Sequence, residues 1–187
     1  MKLEQYNELV SQCKKESKEK IVFADGPLKA DIVLIGEAPG KNEIENGKPF
    51  CGAAGKELDS FIEILEINRE DIYITNVVKI RPIKTSKAGN KINRPPNSKE
   101  INLYKKYLFR EIDLINPKII VTLGNVPLKT MIKNKKATIG EYHGKLMKIK
   151  EGYLFPLYHP ASVIYNKSLK DTYISDLKTL KKVIEKL

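Results

Sequence analysis

The sequence has no tryptophan, two cysteines (Cys13 and Cys51) and two histidines (His143 and His159). Two thiols cannot staple a chain of 187 residues, so they are expected to be reduced, as in the cytosol. Nor can they furnish a four-thiolate centre, and a zinc site would need several carboxylates beside the two imidazoles. No apolar run approaches the roughly 18 residues of a membrane span; the longest are short, such as Ile119–Leu123. Residues 1–6 carry neither an apolar core nor a cleavage signal, so a cytoplasmic protein is expected, nucleoid-associated in a prokaryote, with no membrane partner. GxxxxGK(S/T), HExxH, paired CxxC and GxSxG are missing, and no GxGxxG follows the first apolar run. Those gaps exclude the P-loop, dinucleotide-fold, zincin and serine-hydrolase chemistries. One stretch also lacks acids: residues 79–94 hold Lys79, Arg81, Lys84, Lys87, Lys91 and Arg94 and no Asp or Glu.

What is present is a globular balance, 30% charged and 41% hydrophobic, with a formal net charge of +11. This suits one domain spanning residues 1–187. The excess of Lys points to an anionic partner or to an A/T-rich genome, and charge alone does not separate the two. Its placement says more, since a basic loop beside a cleft is a common way to hold phosphates.

Strand and helix patterns alternate. Residues 31–36, 71–76 and 118–123 are β-branched apolar runs ending in glycine or polar residues, as buried parallel strands do, and 138–149 with 153–157 suggest a hairpin feeding a fourth core strand. Residues 2–18, 56–66, 126–132 and 169–187 have helical character, and Ser98 is the expected N-cap of a helix to about residue 115. Residues 21–23 are expected to be extended, 36–55 and the basic stretch to be loops. The result is an α/β domain with a largely parallel sheet. Such sheets place their sites beyond the carboxyl ends of strands. Here those ends are Gly36-Glu37-Ala38-Pro39-Gly40, Thr75-Asn76, Leu123-Gly124-Asn125 and Tyr158-His159-Pro160-Ala161. They bring together an acid, amides, tight-turn glycines and a histidine. Further along the first loop, small residues after Phe50 would let an anion approach backbone N–H groups. Phe50, held by Pro49, offers a face for a planar ligand. His143, in an expected hairpin turn, is read as structural.

These segments carry a resemblance. Gly36–Gly40, Gly47-Lys48-Pro49-Phe50 and Gly52-Ala53-Ala54-Gly55-Lys56-Glu57-Leu58-Asp59 resemble the first motif of the uracil-DNA glycosylase superfamily, in its family 4 branch. Ile74-Thr75-Asn76-Val77-Val78-Lys79 with Arg81-Pro82 resembles its second block, and Asn93-Arg94-Pro95-Pro96, Pro117–Gly124 and His159-Pro160-Ala161 resemble later ones. The likeness implies a three-layer α/β/α sandwich around a four-stranded parallel sheet, and a monomeric, monofunctional enzyme that excises uracil from single- or double-stranded DNA. Glu37 and Glu43 then match the active-site acids, Phe50 the aromatic that stacks on the extruded base, Asn76 the amide that reads its edge, and His159 the histidine beside the leaving base. Gly36 and Ala38 line the base pocket. Ser162, Val163 and Ile164 stand where the family contacts and wedges DNA. Lys79, Arg81, Lys84, Lys87, Lys91 and Arg94 become candidates for phosphate contacts.

The chain also departs from the family, whose members usually hold an iron–sulfur cluster on four cysteines. Val10 and Glu16 flank Cys13 where a second thiol would complete the first pair, Ile80 precedes Arg81-Pro82, and Leu103 or Tyr104 takes the helical position. No cofactor is therefore expected, and apolar packing around Ile80 and the N-terminal helix should take the cluster's place. Tyr165 stands where arginine is common. Two further readings stay open: excision of hypoxanthine or another deaminated base, and a non-catalytic or covalently trapping damage-binding protein.

Overall fold

Hydrophobic side chains on both faces of the strands decide the architecture of the computed structural model, which describes residues 1–187. In chain order the elements are α1 (Lys2–Glu16), β1 (Ala24–Asp25), β2 (Ile32–Gly36), α2 (Lys41–Asn46), α3 (Ala53–Leu65), β3 (Ile72–Asn76), β4 (Ile83–Thr85), β5 (Lys91–Asn93), α4 (Ser98–Ile115), β6 (Ile119–Leu123), α5 (Asn125–Met131), α6 (Ile139–Tyr142), β7 (Met147–Ile149), β8 (Gly152–Leu157), α7 (Pro160–Tyr165) and α8 (Lys170–Ile184). Because strand side chains alternate between faces, Val33, Ile35, Tyr73, Ile120 and Leu154 point one way, into a layer with Leu9 of α1 and Leu108 and Ile112 of α4. Leu34, Ile72, Ile74, Val121 and Phe155 point the other way, against Leu58 and Phe61 of α3 and Leu177 and Leu180 of α8. The two apolar layers make the α/β/α sandwich.

The sheet order is β1-β3-β2-β6-β8-β7. The central β3, β2, β6 and β8 are parallel, as four buried apolar runs require, while β1 and β7 are antiparallel edges. The four-stranded expectation is thus met in the core and exceeded at the rims. Strands of two and three residues are too short to show periodicity in sequence. Parallel register sets Gly36 beside Asn76 and Leu123 beside Leu157, so the polar strand ends emerge together at one edge.

Four segments differ from the sequence expectations. In 138–149 only Met147–Ile149 is a strand of the hairpin, because the capping box of Thr138 and Glu141 starts α6 before it. The loop after β2 contains α2, whose start is closed by Glu43 Oε2 accepting from the Gly40 backbone N–H at 3.1 Å. The basic stretch is a hairpin, β4 paired antiparallel with β5. The cap of α4 is Asn97 rather than Ser98: its side chain accepts from Glu100 N (2.9 Å) while Glu100 accepts from Asn97 N (2.7 Å).

The residues at the family's cluster positions do not suit four thiolates. Cys13, Ile80 and Tyr104 are buried in the layer between α1 and α4, with Leu9 beneath them and Val10 against its edge. Glu16 turns outward to Lys106 at 2.5 Å. Burial pushes the Cys13 thiol up to about 11, which keeps it protonated. Hydrocarbon and phenol rings fill the volume, and burying a residue such as Ile80 contributes about 1.5–3 kcal/mol.

Candidate active site

A cleft of about 660 Å³ opens at the carboxyl edge of the sheet. Its floor is the end of β2 and β3. The turn leaving β3 is bonded to the turn leaving β2, through Val77 N–H to the Gly36 carbonyl (3.0 Å) and Val78 N–H to the Glu37 carbonyl (3.1 Å). These bonds fix Glu37 and Asn76 relative to one another. Asn76 is 2% exposed, faces the cleft, and its carboxamide has no hydrogen-bond partner in the protein. The Glu37 carboxylate is likewise unpaired, and partial burial raises its pKa above the ordinary carboxylate range. Glu43 also lines the cleft but spends an oxygen on closing α2. Ala38 lies between them on the wall.

One side of the cleft is aromatic. Phe50 holds a left-handed backbone (φ 51°), a conformation costly for a side chain of this size. Its carbonyl is fixed by Arg69 Nη2 at 3.0 Å, and Arg69 is itself paired with Asp59 at 2.5 Å. Gly55 makes room: a Cβ there would stand 2.0 Å from the Phe50 carbonyl oxygen. Gly36 lies directly under the Phe50 ring and Asn76 for the same reason. The Phe50 ring faces His159 with centroids 5.9 Å apart and planes 28° off parallel.

His159 caps α7. Its Nδ1 accepts the Ala161 backbone N–H at 3.2 Å, so the ring proton of the neutral form sits on Nε2. Burial lowers its pKa to about 4, which keeps the imidazole neutral at pH 7. The site therefore holds a neutral N–H donor, an unpaired amide and an unpaired carboxylate in one concavity.

The opposite wall is the β4–β5 hairpin, through Pro82, Asn93, Arg94 and Pro95. Lys84, Lys87 and Lys91 are exposed on it. Arg81 is oriented by Asn93 Oδ1 at 2.7 Å. Arg94 braces the hairpin instead of standing free: it donates to both Glu100 oxygens (2.8 and 2.6 Å) and to the Ile83 carbonyl (3.0 Å). Lys79 must be withdrawn from the phosphate-contacting set. It is fully buried and ion-paired with Glu111 of α4. Val163 is also corrected: it is 8% exposed and packs in the α3–α8 layer, which leaves no apolar surface for a wedge. Ser162 and Ile164 do line the cleft, with Ile164 at 41% exposure. His143 lies outside the cleft, paired with Asp176 at 2.7 Å and tilted against Tyr158.

Sequence reasoning passed over Arg69, α2 and the hairpin; Tyr165, noted there for replacing an arginine, borders the cleft at 89% exposure. Two of these had signals. Glu43 sits three residues after Gly40, the spacing of a capping box, and Ala88-Gly89-Asn90 separates two short alternating segments. Arg69 had none, since its use depends on a carbonyl 19 residues away.

The sheet, the aromatic wall and the cleft define a three-layer α/β protein with its candidate site at the carboxyl ends of the strands. Residues 23–186 match the model of the uracil DNA glycosylase superfamily, and the chain belongs to that superfamily. It is 40% identical to the type-4 uracil-DNA glycosylase of Sulfurisphaera tokodaii, over 97% of this chain and 84% of that protein. It is 35% identical to the type-4 enzyme of Archaeoglobus fulgidus (91% and 87% covered) and 34% identical to that of Thermotoga maritima (89% and 84%).

Proposed function

We propose that this protein is a monofunctional uracil-DNA glycosylase: it hydrolyses the N-glycosidic bond of uracil extruded from DNA and leaves an abasic site for base excision repair. The observation that carries the reading is the neutral His159, held by its cap as an Nε2–H donor, in the same cleft as the unpaired Asn76. A base inside a duplex must be flipped out before any group can reach it, at a cost of a few kcal/mol. Asn76 both donates and accepts, so one amide pairs with the uracil imide N–H and the adjacent carbonyl. Cytosine offers the reverse pattern, so an amide held in the uracil-reading orientation leaves buried groups unpaired. Phe50 supplies the stacking face.

As the glycosidic bond breaks, its electron pair leaves with the uracil and the sugar becomes cationic. The His159 N–H, aimed at a uracil carbonyl, stabilises the departing anion, a role worth about 3–4 kcal/mol. Glu37, unpaired and partly desolvated, orients the water that adds hydroxide to the sugar, and that water's proton ends on the uracil. Glu43 is assigned to the framework of α2. Lys41, the lysine at the cleft, is exposed and 3.8 Å from Glu45, whereas a Schiff-base amine requires desolvation. Lys84, Lys87, Lys91 and Arg81 track the phosphates, with Ser162 and Ile164 on the opposite lip. The protein acts as a monomer, since both sheet edges are blunted by strands of two and three residues. Its free cysteines suit the cytoplasm and nucleoid.

The test uses single- and double-stranded oligonucleotides carrying one uracil or one hypoxanthine, followed by alkaline cleavage. Strand breaks at uracil support the reading. Breaks at hypoxanthine alone transfer the site to another base, and retained binding without breaks makes the protein a damage binder.

A further inference from the structure

On the face of β3 opposite Asn76 lies a second polar cluster, buried and absent from the chemistry above. Lys79 is 0% and Glu111 1% exposed, and they form an ion pair between the turn after β3 and α4. Lys79 Nζ also donates to Thr75 Oγ1 (2.6 Å) and to the Phe23 carbonyl (3.4 Å), and lies 4.7 Å from the Phe23 ring centre. Glu111 Oε1 accepts from Tyr73 (2.8 Å) and from Thr75 (2.9 Å). The ammonium's three hydrogens and both hydroxyl hydrogens therefore have acceptors, and the network closes on itself.

A buried ion pair seldom beats apolar side chains of equal volume as a source of stability, so its placement is the informative feature. Thr75 precedes Asn76 by one residue and Lys79 follows it by three. The short turn that aims Asn76 into the cleft is clamped at both ends by the same cluster. Val77 and Val78 within that turn hold the Gly36 and Glu37 carbonyls, so the clamp also sets the position of Glu37. Beyond it, Val22 N–H bonds to the Lys79 carbonyl at 2.8 Å, tying the turn to the chain before β1.

We propose that Lys79 and Glu111, acting through Thr75, are positioning residues that hold Asn76 and Glu37 at the geometry excision requires. This rests on the reading of the cleft as a uracil site. The decisive variant is Lys79→Met combined with Glu111→Leu, which leaves no unpaired buried charge. At a temperature where it is folded, single-turnover excision at saturating uracil-DNA should fall about 10- to 100-fold. The dissociation constant for DNA, measured by anisotropy, should move less than about twofold, because the phosphate contacts lie elsewhere. Wild-type excision by the folded double variant overturns the proposal. Should that variant not fold, Thr75→Val decides: it keeps the volume, the ion pair and the Tyr73 bond to Glu111 but removes the bonds made beside Asn76. Loss of single-turnover rate supports the proposal, and an unchanged rate overturns it. The side-chain amide resonances of Asn76 in labelled protein give an independent reading. They should shift in Thr75→Val, and unmoved resonances overturn the positioning role even if the wild-type protein proves not to excise uracil.

Discussion

Gly36 and Asn76 are register partners at the ends of β2 and β3, and a methyl group on Gly36 would lie 2.3 Å from Asn76 Oδ1 and 2.7 Å from the Phe50 ring. The two groups proposed to read and stack the base thus occupy space left open by a missing side chain. Gly36→Ala should displace both and reduce excision by about 100-fold or more. The fold should survive, since the clash falls on side chains at the cleft. Single-turnover assays with circular dichroism as a folding control check this.

His159 links chemistry to acid stability. Its pKa is lowered from 6.5 to about 4, so the folded state resists the proton that the unfolded state accepts. The associated stability is complete above about pH 6.5 and is lost as pH falls through about 4, to a limit of about 3 kcal/mol. His159→Asn keeps an N-cap acceptor but removes the titration. Urea unfolding at pH 7 and pH 4 should show a smaller acid loss in this variant than in the wild type. Its excision rate should be about 100- to 1,000-fold lower.

Glu37 and Glu43 should separate in their pH behaviour. With its pKa raised by burial, Glu37 must lose its proton to orient water, so excision should rise with pH through a midpoint above the ordinary carboxylate value of about 4.3. Glu37→Gln should abolish that limb and lower the plateau by about 100-fold or more. Glu43→Gln still accepts the Gly40 N–H, and should keep the limb with less than about a tenfold loss. Rate profiles from pH 4 to 8 distinguish the two.

Salt dependence should report the hairpin. Replacing Lys84, Lys87 and Lys91 by alanine should lower the slope of log affinity against log salt by about 2–3. Arg94→Ala should instead destabilise the protein, because its guanidinium is bound to Glu100 and the Ile83 carbonyl. Titrations at several ionic strengths, with a melting curve for each variant, check both.

The buried strands and the polar residues at their ends were legible because burial on two faces leaves continuous apolar runs, and a parallel sheet delivers those ends to one edge. Asn76 and His159 line the cleft there, and Gly36 lies beneath Asn76 and the Phe50 ring. Charge was less readable. Lys79 and Lys84 look alike in a stretch without acids, yet one is buried against Glu111 of α4 and the other lies in solvent.

The sequence by itself determined the α/β class, the set of strand-end residues and the impossibility of a four-thiolate cluster, since these depend on local periodicity and on counting. Only the tertiary structure decided which carboxylate stays unpaired, which ring nitrogen of His159 carries the proton, and that Lys79 meets Glu111 rather than a phosphate. Each depends on a partner brought close by folding: Gly40 N–H for Glu43, the start of α7 for His159, and α4 for Lys79. An ionisable group takes its role from the field and hydrogen bonds around it, and those exist only once the layers have packed.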